Sequence, residues 1–363
     1  MILMKVLFTF TTKPGFYDAY VHRVMSLKNG LESCGVQSAA LYLGDLPFKK
    51  PFVISPVNVP VIRKYLEEFD FVHAGNTGAA YLMSLAKLTR KTDTRVIYDV
   101  HGDAIEEPRL NCRGWLDLKN HFNYLQGSVM EKLAVRYADY FAVCSESFRD
   151  RYLSRGVNRD RVEVILNGVN IDMFRPRDHP QNEVFTVTYA GRFQRWQGIE
   201  LLLEATQLLK DEGVRFRVIG LDPGTRQALE GKYGNVQFMD FMPGSELIGY
   251  LCGSDALIIP RMSHPALEVA FPTKYAEYVA CGVPVIVTDV GDAGRLTRRH
   301  NSGMVCDTSA VSIAEAILKL KSCSPGERKE MGDNGRRLAE DLLDYRKISM
   351  KYFEFLKRAG ETC

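Results

Sequence analysis

Short apolar runs, rich in β-branched and aromatic residues, alternate along the chain with segments whose apolar positions recur at helical spacing. In the first half KVLFTF (5–10), QSAALYL (37–43), DFVHAG (70–75), TRVIYDV (94–100), DYFAVCS (139–145) and VEVILNG (162–168) predict strands. The stretch from about Asp18 to Ser33 predicts a helix after the first of them. A second series runs through VFTVTYAG (184–191), RFRVIG (215–220), NVQFM (235–239), DALIIP (255–260) and PVIVTD (284–289), with helices expected over 198–210 and 273–280. Strands that alternate with helices build a parallel sheet covered on both faces. Two such series predict an α/β protein of two doubly wound domains.

The join is NGVNIDMFRPRDHPQNE (167–183), rich in Asn, Pro and charge and without periodicity, as a linker should be. YRKISMKYFEFLKR (345–358) predicts one amphipathic helix near the end. The expected division is 1–170 and 171–344, with a final helix over 345–363. The chain shows neither a sequence repeat nor a low-complexity tract.

The length of 363 residues suits two domains. The 47 basic and 44 acidic side chains leave a net charge of +3, too balanced for bulk nucleic-acid binding. None of the eight cysteines forms a CxxC pair, and several sit in apolar runs, so reduced thiols in a cytoplasmic protein are expected. Lys5 interrupts the apolar start MILMKVLFTFTT, which reads as a buried first strand rather than a signal peptide. No run is long enough to span a bilayer, so any membrane association is expected to be peripheral.

In open α/β sheets, ligands bind beyond the carboxyl ends of the strands. Several polar residues fall at such ends. Gly15 lies in the turn after the first strand, where a glycine lets backbone approach a phosphate or sugar; a plain turn beside Pro14 is the alternative. There is no GxGxxG fingerprint. His101 ends VIYDV and suits a sugar hydroxyl or its leaving oxygen, against the alternative of a capping histidine. Arg192 follows VTYA with Arg195 close by, and a guanidinium fork suits phosphate; a surface loop arginine is the alternative.

FPTKYAEYVACGVPVIVTDVG (271–291) carries the most information. A helix beginning near Thr273 turns several free N–H groups into the preceding loop, a ready anion site. Lys274 adds a cation there, and Glu277, one turn in, can accept from the vicinal hydroxyls of a ribose. A solvated Lys–Glu pair is the alternative. The pattern points to a nucleotide, with its diphosphate on the helix end and lysine. VQFMDFMPG (236–244) is a candidate frame for the base.

Five segments together resemble glycosyltransferase family 4, retaining enzymes of the GT-B fold. They are VIYDVHGDAIEE, EKLAVRYADYFAVCSES (131–147), VILNGVNIDMF (164–174), AGRFQRWQGIELLLEA (190–205) and the 271–291 stretch. The resemblance implies two Rossmann-like domains facing across a cleft, the nucleoside-diphosphate sugar mainly on the second and the acceptor on the first, with the final helix packed back on the first. It implies transfer with retention to a saccharide, lipid-linked or small-molecule acceptor. His101, Arg192 and Lys274 would be the catalytic residues. Gly15, Arg195, Gln197, Glu268, Thr273 and Glu277 would bind substrate.

The chain departs from the family pattern in three places. Glu277 matches the second of the family's two glutamates, but the first would fall at Val269, and Glu268 stands one position early. A branch with Phe-Pro-x-Lys before the second glutamate is closer. The lysine usual before the glycine of the fourth segment is Gln197, so Lys274 or Arg195 would have to stand in. The Gly-Gly usual in the first loop is missing, with Gly15 the nearby candidate. No His, Cys or carboxylate cluster has metal-ligand spacing, so neither metal nor cofactor is expected. A nucleotide-sugar epimerase and a non-catalytic nucleotide-sugar-binding relative are the rival readings.

Overall fold

The computed structural model describes residues 4–11, 19–46, 56–89, 92–110, 117–180 and 182–361. They form two compact units, Met1–Asn167 with Tyr345–Cys363, and Gly168–Asp344.

The first unit holds one parallel sheet of β1 (Lys5–Phe10), β2 (Gln37–Tyr42), β3 (Phe71–Ala74), β4 (Arg95–Val100), β5 (Tyr140–Val143) and β6 (Val162–Val164). Its order is β2-β1-β3-β4-β5-β6. Every residue of β3 is buried, and so is every residue of β1 after Lys5, which is why these strands read as mostly apolar runs, with Thr9 and His73 the buried polar members. Helix Tyr345–Glu361 belongs to this unit and packs on helix Ala19–Ser33. It buries Ile348, Tyr352, Phe355 and Leu356 in one cluster with Val24, Leu27 and Leu31. Ser349 crosses so close to Gly30 that any side chain at position 30 would collide with it.

The second unit holds β7 (Phe185–Ala190), β8 (Val214–Leu221), β9 (Val236–Asp240), β10 (Ala256–Ile259), β11 (Val285–Thr288) and β12 (Gly303–Cys306). All pairings are parallel, in the order β12-β11-β10-β7-β8-β9. Edge strand β12 is not anticipated from the sequence: its four residues begin on a glycine, too short and too weak in β-propensity to stand out. Counted from β7, the order is that of dinucleotide-binding sheets, and chain progression reverses between β7 and β10. Neighbouring strands there send their connections to opposite faces, which opens a crevice at their carboxyl ends. The ladder between them runs only through Val187–Ala256 and Thr188–Leu257.

Candidate functional site

Beyond that reversal, Ala190 has no β10 partner for its backbone, and one side chain serves instead. The Tyr278 hydroxyl accepts from Ala190 N–H at 2.7 Å and donates to Ala190 C=O at 3.1 Å. Helix Thr273–Ala280 is thereby fixed to the end of β7. It follows Pro272, and no side chain caps its first turn, which leaves leading N–H groups and the positive dipole end without a side-chain acceptor.

Lys274, on that first turn, donates to Tyr189 Oη and to Gln197 Oε1, each at 3.1 Å. Its ammonium also lies 4.2 Å from the centre of the Tyr189 ring. The backbone turns at Gly191, with φ 153°, and a Cβ there would run into Lys274 Nζ. The positive φ favours glycine at this position, and a Cβ would push the Lys274 ammonium aside. Gly198, φ 74°, is similarly enforced, because a Cβ would strike the Pro260 carbonyl at the end of β10.

Burial lowers the Lys274 pKa to about 7, helped by the nearby Arg261 guanidinium and opposed by Glu277. Burial pushes the Glu277 carboxyl up, with Lys274 pulling it back. Both side chains are half-buried, and the Glu277 carboxylate has no hydrogen-bond partner among the described residues. A solvated surface pair would show neither shift. Perturbed groups gathered at a strand-end crevice mark a candidate site on physical grounds.

The other expected residues are spread around this point. Arg192 is exposed just past Gly191, its carbonyl accepting from Tyr189 Oη at 3.1 Å. Arg195 is exposed in the turn Arg195–Gln197. Thr273 is the first residue of the Lys274 helix. Both Glu268 oxygens are engaged inside the protein: one accepts from Gly291 N–H at 3.0 Å and the other from Ser263 Oγ at 3.2 Å. Glu268 thus ties the turn into helix Gly291–His300. Gly15 lies outside the described residues. Within the 236–244 run, Val236–Asp240 form edge strand β9, two strands from the reversal, with Phe241 exposed beyond it.

Sequence reading missed Arg261 and Tyr189. Arg261 directly follows Pro260 after β10 and is buried, donating to Ala270 C=O at 2.9 Å. Its position at a strand's carboxyl end was the available signal. Tyr189 sits within an apolar strand pattern and gives none.

In the first unit His101 follows β4, its ring stacked on Tyr20 at 4.5 Å and 11°. Its Nδ1 is 4.0 Å from Asp99 Oδ2, and its side chain is 21 % exposed. Asp99 is wholly buried. Arg23 reaches it with Nη2 at 2.8 Å and Nε at 3.0 Å, and His73 Nε2 lies at 3.3 Å. Burial alone would raise the Asp99 pKa, but Arg23 and His73 outweigh it and hold the carboxyl well below the usual range. His73 Nδ1 in turn lies 2.8 Å from Tyr352 Oη on the C-terminal helix. His101 therefore rests against a fixed, buried charge. Asp99, a carboxylate set among the buried apolar residues of β4, was the sequence signal for this network.

Among the described residues no group of three or more His, Cys, Asp or Glu is placed to hold a metal ion, and no helix is long and apolar enough to cross a membrane.

Residues 18–173 match the family model described as Glycosyltransferase Family 4, and residues 184–322 match the one described as Glycosyl transferases group 1. A D-inositol 3-phosphate glycosyltransferase of Arthrobacter sp. is 25% identical over 192 residues, 48% of this chain and 44% of that protein. The chain thus spans about half the length of such curated relatives. Sucrose-phosphate synthase from Thermosynechococcus elongatus superposes with a TM-score of 0.79 at 18% identity, over 99% of this chain and 100% of that one. HepE from Anabaena in complex with UDP-glucose gives 0.71 at 18% identity, over 98% and 99%. At these identities the structural likeness is one of fold. With two parallel six-stranded sheets of Rossmann type and family models matching most of its length, the chain belongs to glycosyltransferase family 4 and has the GT-B fold.

Proposed function

We propose that the protein is a retaining glycosyltransferase that moves a hexose from a nucleoside-diphosphate sugar to an acceptor hydroxyl. The observation that carries this reading is the meeting of Gly191, Lys274, Gln197 and an uncapped helix start at the β7–β10 reversal. A diphosphate fits such a place: a glycine turn admits it, backbone N–H groups receive it and a cation faces it. Glu277, one turn further along the helix, would accept from the ribose hydroxyls.

The reaction breaks the anomeric C–O bond, and the electron pair leaves with the diphosphate. The sugar gains oxocarbenium character until the acceptor oxygen bonds to it and releases its proton. Charge grows on the diphosphate as the bond breaks, so Lys274, Arg192 and the helix N-terminus act more strongly in the transition state than on bound donor. His101 would work at the sugar. Retention follows from the family resemblance, and the solved HepE complex with UDP-glucose supports this donor class.

The test is incubation with UDP-, GDP- and ADP-hexoses, with and without saccharide and lipid-linked acceptors, analysed by mass spectrometry. Nucleoside diphosphate released together with a glycosylated acceptor supports the proposal. A sugar altered without acceptor would indicate an epimerase. Tight donor binding without turnover would indicate a binding protein.

A further inference from the structure

Two helices of the second unit end in the same dipeptide, Cys-Gly, and their thiols meet. Cys252 is the last residue of helix Gly244–Cys252, and Cys281 directly follows helix Thr273–Ala280. Cys281 Sγ donates a hydrogen bond to Cys252 Sγ. The segment 175–179 lies across both helix ends. A Cβ at Gly253 would meet the His179 ring, and one at Gly282 would meet Pro176. As a thiol, Cys252 donates to the Arg175 carbonyl at 3.3 Å. The Arg336 guanidinium fixes this arrangement, donating to Phe174 C=O at 2.8 Å and to Ala280 C=O at 3.0 Å.

The two thiols are not equivalent. Cys281 is buried, whereas Cys252 is half-buried. Helix C-termini do not favour a thiolate, so Cys252 draws its stabilisation from elsewhere. The Cys281 thiol, then the Arg177 backbone N–H and the Arg177 charge, hold Cys252 below the usual thiol range against its burial. The same contact and its own burial push Cys281 well above that range. The pair is polarised into an accessible nucleophile and a buried partner, the arrangement found in cysteines that are oxidised reversibly.

We propose that Cys252 and Cys281 form a redox site in which Cys252 reacts with hydrogen peroxide and Cys281 closes a disulfide. The Cys252 thiolate attacks one peroxide oxygen. The O–O bond breaks, and the departing hydroxide takes a proton to become water. Cys281 gives up its proton and attacks the sulfenic acid left on Cys252. The S–O bond breaks, the S–S bond forms and a second water leaves. The two thiols together lose two electrons, and the peroxide is reduced to two waters. The bond ties the ends of two helices, one of which carries Lys274 in its first turn. This inference does not depend on the donor reading.

The experiment treats the reduced full chain with a small excess of hydrogen peroxide at neutral pH. Remaining thiols are then blocked with N-ethylmaleimide under denaturing conditions, and the unreduced digest is mapped by mass spectrometry. An intramolecular Cys252–Cys281 link that dithiothreitol removes is expected. It should form at least about threefold faster than half-buried Cys34 and Cys323 are oxidised, because the gain in thiolate exceeds the loss in its intrinsic reactivity. Cys281→Ser should stop at a Cys252 sulfenic acid that dimedone captures. Cys252→Ser should leave Cys281 reduced. Circular dichroism melts check the folding of both variants, and the wild-type map stands without them. Oxidation of Cys252 no faster than that of Cys34 and Cys323 overturns the proposal. So does a wild-type Cys252 that passes to sulfinic acid without a link to Cys281, or a link formed only between chains.

Discussion

Lys274 Nζ donates to Gln197 Oε1 at 3.1 Å, joining positions 77 residues apart in the chain. The glutamine stands where the family usually has a lysine, so one cation of the expected pair is replaced by an acceptor for the other. Lys274→Ala should lower kcat/KM by about one to two orders of magnitude, with turnover falling as well as affinity, since a hydrogen bond to a charged group is worth roughly 1.5–3 kcal/mol. Gln197→Lys should restore part of this loss in the alanine background. It should do less in wild type, where it would place a second ammonium beside Lys274. A double-mutant cycle on kcat/KM measures the coupling, expected at about 1 kcal/mol or more.

With its pKa lowered to about 7, Lys274 is charged below that pH in the free protein and neutral above it. A bound diphosphate favours the charged form. Donor affinity should therefore be level below pH 7 and fall above it by up to about tenfold per unit, with proton uptake on binding. Without ligand the sign reverses. The unfolded lysine holds its proton to about pH 10.4, so the free protein gains stability as pH rises from about 7 towards that value. Calorimetry in buffers of different ionisation enthalpy checks the first effect, and denaturant melts check the second. Both should vanish in Lys274→Met.

His101, stacked on Tyr20 and set against Asp99, should serve turnover more than donor affinity. His101→Ala is expected to reduce kcat by about 100-fold or more, with donor Kd within about threefold of wild type. Single-turnover rates and equilibrium titration separate the two.

Arg23 and Asp99 are both wholly buried and paired. Arg23→Met leaves the carboxylate buried without its main partner, and should cost about 3–5 kcal/mol by urea melts. The Asp99 pKa is held low in the folded state, so its contribution is present above about pH 4 and is lost as pH falls through the folded value. Acid sensitivity of wild type in that range, flattened in Arg23→Met, is the expected signature.

The sequence was most informative where local pattern and physics agree. Among the described residues, eleven of the twelve strands follow from apolar runs, and the other one, Gly303–Cys306, is a four-residue edge strand with little pattern of its own. Lys274 and Glu277 were legible because the helix signal and charge spacing coincide within one short segment. Their surroundings were not. The Lys274–Gln197 contact, the Tyr278 clamp on Ala190 and the Arg23–Asp99 pair each join residues more than 75 positions apart, and single-sequence periodicity carries no such information. Glu268 shows the converse: its place beside a family motif suggested substrate, while its oxygens are bound to Gly291 and Ser263.

The most direct measurement of the central claim compares nucleosides with their diphosphates. Isothermal titration of the full chain with uridine, guanosine and adenosine, and with the diphosphate of each, isolates the anion site from the base site. For the preferred base, the diphosphate should bind at least about 100-fold more tightly than the nucleoside, a difference of roughly 2.7 kcal/mol. Most of that difference should disappear in Lys274→Ala, while nucleoside binding stays unchanged. Equal affinity for nucleoside and diphosphate, or a diphosphate advantage untouched by Lys274→Ala, would contradict a diphosphate site at the β7–β10 reversal.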